Sequence, residues 1–117
     1  MPRVVINPKS LRHPIMIQKR VANVTRNSTG EELLDDPANW QDLAPAFADI
    51  KPLTGRQLEQ ARSITDSVSH LLTIRYLEDV QAGQRVKFGD RVFTINSVTN
   101  EQEMDVKLLL YCTEGVG

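Results

Sequence analysis

Two periods divide the chain. Over most of its length, apolar residues recur at every second position, as half-buried strands require; after Lys51 they recur at helical steps. Leu11, Ile15, Ile17 and Val21 face one way, with His13 and Lys19 as polar exceptions, and Arg12, Met16, Gln18 and Arg20 face the other. This predicts a first strand, and Pro14 puts its start at a sheet edge. Trp40 to Ile50 reads as a second strand weakened by Pro45, with Trp40 closing one end of the core. Ser67 to Tyr76 is a third, with Val68, His70, Leu72, Ile74 and Tyr76 on one face and Ser69, Leu71, Thr73 and Arg75 on the other.

Arg85 to Val98 predicts a hairpin with a definite register. A two-residue Gly89-Asp90 turn pairs Phe88 with Arg91 and Val86 with Phe93. Val86, Phe88, Phe93 and Ile95 then share one face, while Lys87, Arg91 at the tip and Thr94 take wetter positions. The last strand runs from Glu103 to Thr113 with Met104, Val106, Leu108, Leu110 and Cys112 inward; Leu109 breaks the alternation, so part of it is expected to be covered on both faces.

The helical exception starts at Pro52-Leu53-Thr54-Gly55. Thr54 and Gln57 have capping-box spacing, and Leu53 and Leu58 have the spacing of a hydrophobic staple. Leu58, Ala61 and Ile64 follow at helical steps, leaving Arg56, Glu59, Gln60 and Arg62 to solvent. This predicts one helix of about three turns. Between the first two strands, Asn23 to Asn39 carries turn residues (Asn27-Ser28-Thr29-Gly30) and an acidic set, Glu31, Glu32, Asp35 and Asp36. It reads as a long loop, a length that in compact domains goes with function or mobility. The expected fold is therefore mainly β: a small, partly open β-barrel of about six antiparallel strands, with one short helix and a long loop. Residues 1–10 form an extended arm, 11–113 the barrel and 114–117 a loose C-terminus. The arm is either a frayed end or a strand added to a neighbour.

Composition narrows the function. With 117 residues the chain makes one domain, and its 25% charged and 40% hydrophobic content is that of a soluble globular protein. A net charge of −1 lacks the footprint of a general nucleic-acid binder. A single cysteine, Cys112, excludes an internal disulfide and multi-cysteine zinc sites, and suits a reducing cytoplasm. Met1 to Ser10 has no long apolar run, so no signal peptide is expected, and no segment approaches a membrane span. His13 and His70 sit in alternating strands without metal-ligand or catalytic spacing, and read as structural. No nucleophile elbow occurs. Gly55 alone does not make a phosphate loop, and the acidic set lacks EF-hand spacing. No enzymatic activity, metal or cofactor is expected. Arg56, Arg62, Arg75 and Arg85 are candidates for contacts to phosphates or to a neighbouring subunit, the Arg56/Arg62 helix face foremost.

An ordered set of segments resembles the head–tail joining proteins of tailed bacteriophages. It comprises Leu11-Arg12-His13-Pro14-Ile15-x-Ile17-Gln18-Lys19-Arg20, Trp40-Gln41-Asp42 and Ala48-x-Ile50-Lys51-Pro52-Leu53-Thr54-Gly55-Arg56-Gln57-Leu58. It continues with His70-x-Leu72-Thr73-Ile74-Arg75-Tyr76, Arg85-Val86 and Gly89-Asp90-Arg91-Val92-Phe93-x-Ile95-x-Ser97-Val98, so that it spans Leu11 to Cys112. The resemblance implies a β-barrel head-completion, connector or stopper protein of a phage or prophage. Such a protein forms a ring beneath the portal, retains packaged DNA and docks the tail. Implied partners are a portal or adaptor protein, a tail-completion or tail-tube protein, further copies of the chain, and packaged double-stranded DNA without sequence specificity; no membrane is involved. The implied location is the head–tail interface of the virion, with the host cytoplasm during assembly. Within this frame Leu53, Arg56, Gln57, Glu59, Gln60 and Arg62, with Glu31 and Glu32, are expected to face the lumen or a neighbour, and 51–66 to be partly mobile in the free subunit. The alternative is a stand-alone OB-like barrel binding single-stranded nucleic acid or a small ligand, which needs exposed aromatics on one face and a basic groove.

Overall fold

The structure, a computed structural model, describes residues 11–21, 30, 39–63 and 67–115. Six strands follow the predicted alternation: β1 (His13–Arg20), β2 (Trp40–Pro52), β3 (His70–Arg75), β4 (Arg85–Phe88), β5 (Arg91–Asn100) and β6 (Lys107–Gly115). One helix, α1 (Gly55–Arg62), joins β2 to β3. All strand pairs are antiparallel, in the order β1-β2-β3-β6-β5-β4. The barrel is closed rather than partly open, because β4 returns to β1 through Met16–Lys87, Ile17–Val86 and Gln18–Arg85. Irregularities between Ile17 and Gln18 and between Ile95 and Ser97 interrupt two ladders; such bulges bend and twist a strand, as closure requires.

The β4–β5 hairpin has the expected register, Phe88 opposite Arg91 and Val86 opposite Phe93. Inward positions of all six strands fill the interior: Ile15, Ile17, Ala48, Leu72, Ile74, Val86, Phe93, Ile95, Leu108, Leu110 and Cys112 are buried in one cluster. Removing each large side chain from water contributes about 1.5–3 kcal/mol.

β6 begins later and ends later than its apolar pattern suggests. Gln102, Glu103 and Asp105 have φ of 54°, 54° and 56°, a left-handed backbone that breaks an extended strand. Asn100 braces the loop: its Nδ2 donates to Asp105 Oδ1 at 2.7 Å and its Oδ1 accepts the Asp105 N–H at 3.1 Å. Met104, expected inward, is therefore 47% exposed. At the other end β6 takes in Glu114 and Gly115, which the sequence assigns to the loose C-terminus.

The helix has eight residues, about two turns; Ile64 lies outside the described residues. Its entry is not the predicted capping box. Thr54 is extended at φ −140° and makes no side-chain cap. Gly55 turns the chain instead, at φ +56°. At the C-terminus, Ser63 Oγ donates to the Gln60 carbonyl at 2.6 Å. Nothing lies within 4 Å of a Cβ built on Gly55, so the backbone alone opposes a side chain there. Gly55→Val is expected to cost about 1–2 kcal/mol, read as a lower urea midpoint with unchanged slope.

Candidate assembly surface

The turn of α1 brings Leu53, Ala61 and Val68 together in a second, smaller buried cluster, flanked by Leu58, Leu71 and Tyr111. Leu71 and Tyr111 are cross-strand partners on the outer face of β3 and β6. The helix is thus packed on the outside of the barrel wall. This accounts for double coverage of β6, though at Tyr111 rather than at Leu109. Leu53 is 8% exposed, so it anchors the helix and offers little surface of its own. Arg56, Gln57, Glu59, Gln60 and Arg62 are all exposed. Among the described residues, none of Arg56, Glu59 and Arg62 is in an ion pair. Arg62 lies in the last turn of α1, where a cation meets the negative end of the helix dipole favourably. Glu31 and Glu32 lie outside the described residues.

At the same end of the barrel, inward-facing polar side chains plug the mouth over Phe93. Arg91 donates Nε and Nη2 to the two Glu114 oxygens at 2.9 and 3.1 Å. The Arg91 guanidinium lies 5.0 Å from the Phe93 ring centre. His70 meets Phe93 edge-on at 5.1 Å, and its Nε2 is 3.6 Å from Glu114. Ser69 Oγ accepts the Glu114 N–H at 3.1 Å and lies 2.8 Å from His70 Nδ1. The Ser69 hydroxyl thus bridges the Glu114 amide and one nitrogen of the His70 ring, whose other nitrogen faces the carboxylate. Burial pushes the His70 pKa down; Glu114 opposes that shift and Arg91 adds to it. The hydrogen bonds from Arg91 hold the Glu114 carboxyl below the usual range.

Both shifts make the unfolded chain the better proton binder. The His70 contribution to stability is complete above about pH 6.5 and is lost as pH falls through the folded value. That of Glu114 is lost on further acidification. The wild type is expected to melt at a lower temperature at pH 5.5 than at pH 7.5, and His70→Asn to shrink that difference, in thermal melts monitored by circular dichroism.

Other candidates are structural. His13 packs on Phe88 with ring centres 5.0 Å apart. Cys112 is buried, and burial pushes its thiol up to about 12, so it is no nucleophile at neutral pH. Arg85 is buried, not a surface contact: its Nε donates to Gln18 Oε1 at 2.7 Å and its guanidinium stacks 4.4 Å from the Trp40 ring centre. Gln18 Nε2 in turn donates to Asp42 Oδ1 at 2.8 Å. Trp40 thus sits at the barrel end opposite α1, half-buried beneath Arg85. Arg75 is exposed. Among the described residues there is no metal-binding group of three or more His, Cys, Asp or Glu, and no helix long and apolar enough to cross a membrane.

The model of the phage head completion protein family matches residues 6–115. The chain belongs to this family. Its role is accordingly that of a structural virion protein in head–tail joining, located at the head–tail interface, and not that of an enzyme. Among solved structures, protein SF1141 of Shigella flexneri 2a is similar at 25% identity and a TM-score of 0.67, over 95% of this chain and 98% of that one. A chain from the virion of a native gene transfer agent particle shares the fold at 17% identity and a TM-score of 0.56, over 100% of both chains. No curated protein matches the chain. A stand-alone OB-like binder has little support: Phe93 is buried inside the barrel, and Phe47 is the one exposed aromatic among the large exposed hydrophobics.

The sequence did not single out Phe47 as a surface residue, yet the signal was present. Ala46, Ala48 and Ile50 take one face of β2, which leaves Phe47 on the other; it is 60% exposed. The Arg91–Glu114–His70 group had no such signal, since its members come from three strands.

Proposed function

We propose that this head completion protein assembles as a ring beneath the portal, with the exposed face of α1 turned to the lumen or to the next subunit. The observation that carries this reading is the position of α1: a helix outside a closed barrel, anchored by Leu53 and Ala61 and presenting Arg56, Gln57, Glu59, Gln60 and Arg62 to solvent. A closed barrel makes a rigid body, and a ring of such bodies needs heterologous contacts from protruding parts. The partners in this reading are the portal or adaptor protein on the head side and a tail-completion or tail-tube protein on the other. Packaged duplex DNA passes through the channel without sequence readout, which suits a chain of net charge −1. The long 23–39 connection, with Glu31 and Glu32, is a second protrusion in this reading.

The test is DNA retention. Heads made without the protein should release their DNA to added nuclease and carry no tails; adding the wild-type chain back should protect the DNA and restore joining. Nuclease-resistant, tailed particles made without the protein would refute the reading.

A further inference from the structure

β2 leaves half of one edge open. β1 pairs with it along Trp40–Ala48, but β3 joins it only from Ala48 to Pro52. Among the described residues, no strand lies on the other side of Gln41–Phe47. Pro45 falls in this half and has no N–H, so an added strand gains its ladder bonds from the other residues of the edge. Beside this edge lies a groove of about 350 Å³, lined by Leu11, Pro45, Ala46, Phe47, Arg75 and Leu77. Phe47 in its wall is 60% exposed. An open strand edge next to an exposed aromatic is a template for adding a strand from another chain.

We propose that this groove receives residues 2–8 of a second copy of the chain, laid as an extended strand along Gln41–Phe47. The proposal rests on the ring assembly proposed above and names one of its subunit contacts. Ten residues precede Leu11 and lie outside the described residues. Extended, residues 2–8 span about 23 Å, the length of the Gln41–Phe47 edge, and Lys9 and Ser10 leave about 10 Å to cross to a neighbour in contact. Their centre is Val4-Val5-Ile6, a β-branched run that fits a pleated, half-buried surface. Pro2 and Pro8 bound the run and stop further pairing on either side. Arg75 supplies guanidinium donors for carbonyl oxygens of the arm. The subunit's own chain already puts Leu11 into the groove wall, where it is 8% exposed, and still leaves Phe47 open. A strand added by a second copy, unlike one added by the chain's own arm, joins neighbouring subunits. The contact joins a different patch on each partner, so it repeats around a rotation axis, as a ring requires.

The experiment uses two differently tagged full-length variants, Val5→Cys and Phe47→Cys, produced together during head assembly, followed by mild oxidation of purified heads. Cys112 is buried and does not compete. The expected product is a disulfide-linked species carrying both tags. The absence of that species, with both variants present in heads, overturns the proposal. So does a Val5→Cys/Phe47→Cys double variant that closes only within single chains. Absence of the wild-type protein from purified heads overturns the ring reading, and the groove assignment with it. In parallel, Phe47→Asp should leave the melting temperature of the free subunit unchanged and lower its incorporation into heads more than tenfold; unchanged incorporation counts against the proposal.

Discussion

Phe93→Ala should destabilise the free subunit by about 3–5 kcal/mol, a large share of the ~5–15 kcal/mol that a domain of this size has. Phe93 is fully buried inside the barrel, opposite Val86 in β4 and Glu114 in β6. Its removal leaves a cavity and also takes away the ring on which Arg91 and His70 rest, at 5.0 and 5.1 Å. The polar plug at that mouth then loses its floor, so the acid sensitivity expected of His70 should change together with the stability. Phe47→Ala is the internal control. The same truncation at a 60% exposed position should stay within about 0.5 kcal/mol. Urea unfolding of the two variants reads both effects on one scale.

Arg56→Glu/Arg62→Glu is expected to abolish head–tail joining while leaving the fold intact. Both side chains are exposed and, among the described residues, unpaired; Arg62→Glu loses a favourable contact with the C-terminal end of the helix dipole and Arg56→Glu gains one in the first turn, so the net cost to the free subunit is about 0.5 kcal/mol or less. At an interface, reversed charges placed against a matched surface cost several kcal/mol, and each 1.4 kcal/mol is tenfold in affinity. A ring repeats that penalty at every subunit. Infectious titre should therefore fall by at least about a hundredfold, with an unchanged melting temperature. Substitution is a cleaner test than deleting Gln57–Arg62, because the deletion removes Ala61 and Leu58 and uncovers Leu53, Val68 and Tyr111.

What the sequence made legible was local. The Gly89-Asp90 dipeptide and the alternation around it specify the β4–β5 register, because a one-residue slip would turn Val86 and Phe93 outward. The position of α1 followed from the spacing of Leu53 and Leu58, both of which lie in the outer cluster. Barrel closure was not legible: Met16 meets Lys87 across the chain, and no neighbouring residue announces that pairing. The helix entry was misread because Thr54-x-x-Gln57 matches a capping box, whereas Gly55 makes the turn by its left-handed backbone. Met104 was misread because alternation says nothing about a loop held by Asn100 and Asp105. For the candidate surface, spacing was enough to place Arg56, Gln57, Glu59, Gln60 and Arg62 in solvent. It did not separate Leu53, whose side chain is the anchor beneath them.

Closure of the head by a ring of these barrels, built through α1, is open to direct observation. Electron cryo-microscopy of the portal vertex, in heads isolated with and without the protein, tests it most directly. The expected result is a ring of small β-barrels beneath the portal only when the protein is present, with the Gly55–Arg62 helix turned to the lumen or to the adjacent subunit. Helices that face outward, away from both, or the same ring in heads lacking the protein, would contradict it.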